Sequence, residues 1–211
     1  MRHSTIILTK DEILCDGKSF FKEEVNRIER SIKKCIKVFI LERELEIDVF
    51  DVKEKISNIE NFISNIMGNN YIENGDILYN YEYDKKLKKI YIYYIKGFKY
   101  VRNIISQAKE LQIKPIQSLI YDVCKHKLKI KDVNFSVLLK FGNYYYYTLF
   151  KNGNIVKSLC SDSINEINFE IIKHEDKIRI YVDNKIEQKL AIQNKILIDL
   201  SEIIYDKIYK K

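Results

Sequence analysis

The sequence is poor in residues that interrupt folded chains and in long apolar runs. Among 211 residues there is one proline, Pro115, and there are six glycines. That excludes long flexible linkers and collagen-like repeats. Nowhere does the chain approach the ~18 consecutive apolar residues of a membrane helix. The opening Met1-Arg2-His3-Ser4-Thr5-Ile6-Ile7-Leu8 holds too short an apolar run for a secretory leader. A cytoplasmic setting is the expectation. The four cysteines (Cys15, Cys35, Cys124, Cys160) are scattered and form no CxxC pair, so buried free thiols are expected in place of a zinc or redox site. With only three histidines (His3, His126, His174) no metal and no cofactor are expected.

What is present is a globular composition, 46% hydrophobic and 32% charged, in a chain long enough to bury roughly 70% of its unfolded surface without disulfides. Tryptophan is absent and alanine occurs twice, while Ile, Lys, Asn and Tyr abound. That bias matches AT-rich codons and discounts lysine as a functional signal. The net charge is +7, with 20 basic and 18 acidic side chains in residues 1–112 and 17 and 12 in residues 113–211. A nucleic-acid binder concentrates its charge more than this. Lys125, Lys127, Lys129 and Lys131 alternate, which on a strand would make one basic face. Lys207, Lys210 and Lys211 close the chain and suit a cytoplasmic juxtamembrane stretch.

Hydrophobic periodicity predicts three strands at Thr5–Thr9, Glu12–Asp16 and Lys18–Lys22, with Asp16-Gly17 as a tight turn. A helix over Glu23–Cys35 and a strand over Lys37–Leu41 follow. Residues 52–67 carry a helical stripe ended by Gly68-Asn69-Asn70. Residues 76–95 alternate as a hairpin, helices run from Gly97 to Leu111 and over Ile116–Lys127, and Pro115 breaks them. The second half then repeats the opening theme. Val133–Lys140, Tyr144–Phe150 and Asn154–Leu159 read as strands joined by Gly142-Asn143 and Asn152-Gly153. Ser163-Ile164-Asn165-Glu166 is a capping box, Lys177–Val182 a strand and Leu200–Tyr209 a helix. The prediction is an α/β chain with mixed sheets, in two subdomains over 1–112 and 113–211.

This order, β-β-β-α-β-α twice, resembles the actin-like ATPase fold, with two RNase H-like subdomains in trimmed form. The stretch Tyr91–Cys160 is similar to the middle of PilM proteins and to the cytoplasmic domain of GspL proteins. The likeness runs through Ile90–Ile95, Gln107-Ala108-Lys109-Glu110-Leu111, Gln117–His126, Val137–Gly142 and Phe150–Val156. It implies a scaffold on the inner-membrane platform of a type IV pilus or type II secretion system. The implied partners are a PilN-like membrane subunit and the assembly ATPase, and the resemblance allows a homodimer. Active members of the fold place aspartate and glycine in two strand turns, for Mg²⁺ and phosphates. Here the first turn, Thr9-Lys10-Asp11-Glu12, offers only Asp11. The second keeps Gly142 but has Lys140 in place of the aspartate, and Tyr181-Val182-Asp183-Asn184-Lys185 lacks the paired glycines of the adenosine site. The resemblance therefore implies no nucleotide hydrolysis.

An RNase H-like nuclease or nucleic-acid module shares the strand order. It needs three or four clustered carboxylates, for which the second-half strands offer Asp132 and Asp183. An interaction protein outside any secretion machine is a third reading. Cys124-Lys125-His126 is an unpromising dyad, since neighbours two apart on a helix diverge. His174-Glu175-Asp176 reads as a loop. Tyr144–Tyr147 alternate between faces and read as core and edge. The row Tyr79, Tyr81 and Tyr83 is the candidate partner-docking surface if its face is open.

Overall fold

The computed structural model describes residues 3–29, 32–52, 58–70, 77–97, 104, 106, 108–173, 178–186 and 195–210. In chain order the elements are β1 (Ser4–Leu8), β2 (Glu12–Cys15), β3 (Lys18–Phe21), a 3-10 turn (Lys22–Glu24), α1 (Val25–Glu29), β4 (Cys35–Ile40) and β5 (Glu46–Asp51). Then come α2 (Ile59–Asn70), β6 (Ile77–Asp84), β7 (Lys89–Lys96), β8 (Glu110–Pro115) and α3 (Ile116–Asp122), which runs on into a π-helical turn (Val123–Lys127). The remainder is β9 (Phe135–Phe141), β10 (Tyr144–Lys151), β11 (Asn154–Ser161), α4 (Ile164–Ile172), β12 (Arg179–Asp183), β13 (Lys195–Ile198) and α5 (Ser201–Tyr209).

Two five-stranded sheets share one topology. The first has the order β3-β2-β1-β4-β8 and the second β11-β10-β9-β12-β13. In each, three antiparallel strands lead and two parallel strands follow. The expected duplication of RNase H-like units is therefore real, although the sequence carries no repeat. Both leading hairpins turn as the dipeptides dictate. Asp16 and Gly17 have φ of +48° and +86°, and Asn152 and Gly153 +51° and +81°, the two positive angles of the turn that suits strand twist.

The sheets join through one core. Ile6 and Val38 of the first share it with Val137, Leu139 and Tyr146 of the second and with Leu200, Ile204 and Ile208 along α5. The central strand β9 is buried on both faces, which its near-continuous Phe-Ser-Val-Leu-Leu requires. Its other face, through Leu138, meets Ile164, Ile167 and Ile171 of α4. Buried Gln117 ties the halves by donating to the Arg43 carbonyl (2.9 Å) and to Ser158 Oγ (3.1 Å).

Several expectations are corrected. The hairpin of residues 76–95 belongs to a separate sheet, β5-β7-β6, inserted between β4 and β8 and roofed by α2 through Ile63 and Met67. Strand β5 was not foreseen. Its Ile47 and Val49 alternate with acids, and pairing with β7 decides its state. The chain around Leu111–Pro115 is strand, not helix end and breaker: it pairs in parallel with Cys35–Ile40, and proline is tolerated at the end of this sheet-edge strand. The first helix is short because Cys35 is already in β4. Gly68 does not stop α2, which runs to Asn70. β13 was missed because its side chains are mostly exposed and show no alternation. The capping box is displaced: Ser163 makes no side-chain cap, and Ser161 Oγ donates to Glu166 and accepts from the Ser163 amide. Lys125 sits on a helical turn and donates to the Asp132 carbonyl at 2.7 Å, so the alternating lysines form no strand face. Most of the helix expected after Gly97 lies outside the described residues, as does His174-Glu175-Asp176.

Candidate functional site

The turn after β1 closes on itself. The Thr9 amide donates to the Glu12 carbonyl (3.0 Å), and Thr9 Oγ1 accepts from the Glu12 amide (3.0 Å). The Lys10 amide donates to Glu42 Oε2 at 3.1 Å. Glu42 follows β4, the strand parallel to β1, and its own amide donates to Tyr146 Oη across the junction of the halves (2.8 Å). A phosphate approaching here meets a carboxylate already on the backbone donor. Asp11 stands exposed at the tip.

The second sheet repeats this arrangement. The Lys140 amide, near the end of β9, donates to Asp183 Oδ2 at 3.4 Å. Asp183 ends β12, the counterpart of β4. Its other oxygen accepts from Ser201 Oγ (3.2 Å) at the start of α5 and from the Lys185 amide (3.4 Å). Asp183 is fully buried, and burial holds its carboxyl above the usual aspartate range against these donors. It acts as a latch among β9, β12 and α5. Gly142, at φ +59°, turns the chain beyond it. Lys140 points its ammonium at the Tyr145 ring, 5.7 Å from the centroid. A shallow hollow of about 470 Å³ lies over this corner, bounded by Lys140, Gly142, Lys185 and Tyr205.

Around Tyr144 and Cys160, between the two turns, Glu42, Glu44, Asp11 and Asp162 act together with Lys10. The Tyr144 hydroxyl is held above its usual range by burial first, and then by Glu42 and Asp162, with Asp11 also contributing. The Cys160 thiol is pushed up to about 12, chiefly by burial. Neither group offers an anion a positive charge. The chemistry the two corners share is closure of a backbone amide, that of Lys10 or Lys140, by a carboxylate.

The two carboxylates named for the nuclease alternative lie apart. Asp132 accepts from Arg179 (3.1 Å) and from Tyr181 Oη (2.8 Å) near the start of β12. Asp183 ends that strand four residues beyond Arg179, about 13 Å along an extended chain. No group of three carboxylates gathers among the described residues.

The tyrosine row of β6 is only partly open. Tyr81 and Tyr83 pack against the core beneath α2, while Tyr79 is 43% exposed. Tyr79 and Tyr81 also line a cavity of about 510 Å³ at the β6 edge of this sheet. Leu78 and Glu82 from β6 and Tyr93 from β7 form one wall, and Ile113 and Pro115 of β8 with Tyr121 of α3 form the other. Both β6 and β8 are last strands of their sheets. The groove thus lies between two sheet edges. The tyrosine row pointed to its β6 side, since Tyr79 and Tyr81 line it, but its other side was missed because β8 was read as a helix end. Glu82, which accepts from Tyr93 Oη at 3.2 Å, lends it an acid at the rim, while Asp122 is paired with Lys114 at 2.6 Å.

No protein-family model matches the chain, and no curated protein matches it by sequence. Solved structures do match in fold. The cytoplasmic domain of EpsL, an inner-membrane component of the type II secretion system of Vibrio cholerae, aligns with a TM-score of 0.59 and 8% identity, over 97% of this chain and 92% of that one. A Bacteroides thetaiotaomicron protein with an actin-like ATPase fold and unknown function aligns with a TM-score of 0.56 and 10% identity, over 94% and 91%. A PilM–PilN type IV pilus biogenesis complex aligns at 0.45, with 7% identity over 82% and 65%, below the level at which a shared fold is shown. The chain has the actin-like fold.

Proposed function

We propose that this protein is a non-catalytic cytoplasmic scaffold at the inner-membrane platform of a type II secretion or type IV pilus system. It holds an extended segment of a membrane subunit in the groove between β6 and β8 and links that subunit to the assembly ATPase. The observation that carries the reading is the groove itself. Strands at sheet edges present backbone donors and acceptors, and an extended segment laid between them gains both ladders and apolar pockets. Glu82 on its rim suits the lysine- and arginine-rich tails that membrane proteins keep on the cytoplasmic side, while Asp122 is already paired with Lys114 at 2.6 Å. The likeness to the EpsL domain, spanning nearly the whole of both chains, suggests the setting. The carboxylate-closed turns support the absence of nucleotide hydrolysis.

The test is a pull-down from gently solubilised native membranes, with the intact protein and with Ser118→Arg, which fills the groove from half-buried Ser118. Recovery of a secretion or pilus membrane subunit, lost in the variant, is the expected result. Recovery of nucleic-acid proteins alone, or of nothing from the membrane, overturns the reading.

A further inference from the structure

Three parallel strands of the first sheet begin on one row. His3 immediately precedes β1, Cys35 opens β4 and Glu110 opens β8. The register sets Ser4 beside Ile36, so His3 precedes that pair by one residue, as Cys35 does. Cys35 is itself paired with Glu110. Side chains of one row in a parallel sheet project to the same face. Here one ligand atom from each of His3, Cys35 and Glu110 lies within 4.8 Å of the other two.

We propose that His3, Cys35 and Glu110 form a binding site for a borderline-soft divalent cation of the Zn²⁺ class, held by three protein ligands with a fourth position open to water or a partner's side chain. The donor set fits that ion: thiolate, imidazole and carboxylate are its usual ligands. In a tetrahedral site, bonds of these lengths put ligand atoms about 3.3–3.8 Å apart, so side-chain rotation closes a gap of at most about 1.5 Å.

The supports are already in place. Ser4, fully buried, donates to Asp16 Oδ2 (3.0 Å) and accepts from the Lys33 amide (3.0 Å), which fixes the chain after His3 to the chain before Cys35. The amides of Lys109 and Glu110 both donate to the Lys34 carbonyl, at 2.8 and 3.3 Å. Each ligand is thus adjacent to a backbone clamp shared with its neighbour strand. Cys35 is 2% exposed, and burial first, then the Glu110 carboxylate that accepts its S–H, holds the thiol above its usual range. Binding replaces that S–H with an S–metal bond and releases the proton to solvent. Spacing along the sequence gives no hint of the set, since 3, 35 and 110 are brought together only by the parallel register.

The experiment uses the full chain with any histidine tag removed and Co²⁺ as the spectroscopic probe, followed by Zn²⁺ titration. The expected result is one equivalent bound, a thiolate-to-cobalt charge-transfer band in the near ultraviolet, proton release and a raised melting temperature. Cys35→Ser abolishes the band. His3→Gln and Glu110→Gln, which alter partly or fully exposed side chains and leave the core intact, each weaken Zn²⁺ binding roughly tenfold or more. No stoichiometric binding, or a band and affinity unchanged in all three variants, overturns the proposal.

Discussion

The corner after β1 and the corner after β9 occupy equivalent places in two sheets of identical strand order, and each is closed by a carboxylate at or just past the end of the neighbouring parallel strand. Glu42 accepts the Lys10 amide and Asp183 accepts the Lys140 amide. The difference is burial. Glu42 is half-exposed, while Asp183 is sealed under the start of α5. One topology thus yields a surface clasp in the first half and a buried latch in the second. In both, one backbone amide of the turn is already taken by a carboxylate.

The comparison breaks most sharply at Asp183. Asp183→Ala leaves the Lys140 and Lys185 amides and the Ser201 hydroxyl without their acceptor. The expected loss is roughly 2–3 kcal/mol of stability, read as a lower urea midpoint. A neutral result would show that Asp183 is not holding α5 to the sheet. Between the halves, Gln117→Ala removes the donor shared by Arg43 and Ser158, with an expected loss of about 1–2 kcal/mol. Glu42→Gln is the mildest of the three, at about 0.5–1 kcal/mol, because solvent can satisfy the Lys10 amide. An effect equal to that of Asp183→Ala would erase the distinction between clasp and latch.

A smaller contrast separates Asp183 from Glu170 on α4. Lys157 and Lys173, each 2.6 Å away, lower the Glu170 carboxyl. Its stabilising contribution is present above the unfolded value and is lost as pH falls through the folded one. Asp183 is raised, so its contribution has the opposite sign: it is present below the unfolded value and is lost as pH rises through the folded one. In denaturant titrations across the carboxylate pH range, Glu170→Gln should flatten the acid loss of stability and Asp183→Asn should steepen it.

Legibility in the sequence followed the same division. The second half was readable because Val137 and Leu139 alternate cleanly, Asn152-Gly153 names its turn type and Tyr146 and Tyr147 are core on opposite faces. The strand order, duplicated, was therefore recoverable. The inserted sheet was not. Strand β5 is specified by β7 and not by its own pattern, and β8 ends in a proline that reads as a breaker until its pairing with β4 is seen. Losing β8 concealed both the groove and the row of His3, Cys35 and Glu110, since each needs that strand. Asp11, Lys140, Gly142 and Asp183 were singled out from sequence, and they lie at the two corners. That Glu42 and Asp183 close the two turns could not, because Glu42 lies 32 residues from the amide it accepts.

The proposal that the protein turns over no nucleotide rests on both corners having a backbone amide engaged by one of the protein's own carboxylates. The most direct measurement is the melting temperature of the intact protein titrated with Mg²⁺-ATP to saturating concentrations. The account predicts no shift. A saturable rise of several degrees, the signature of a ligand bound to the folded state, would contradict it.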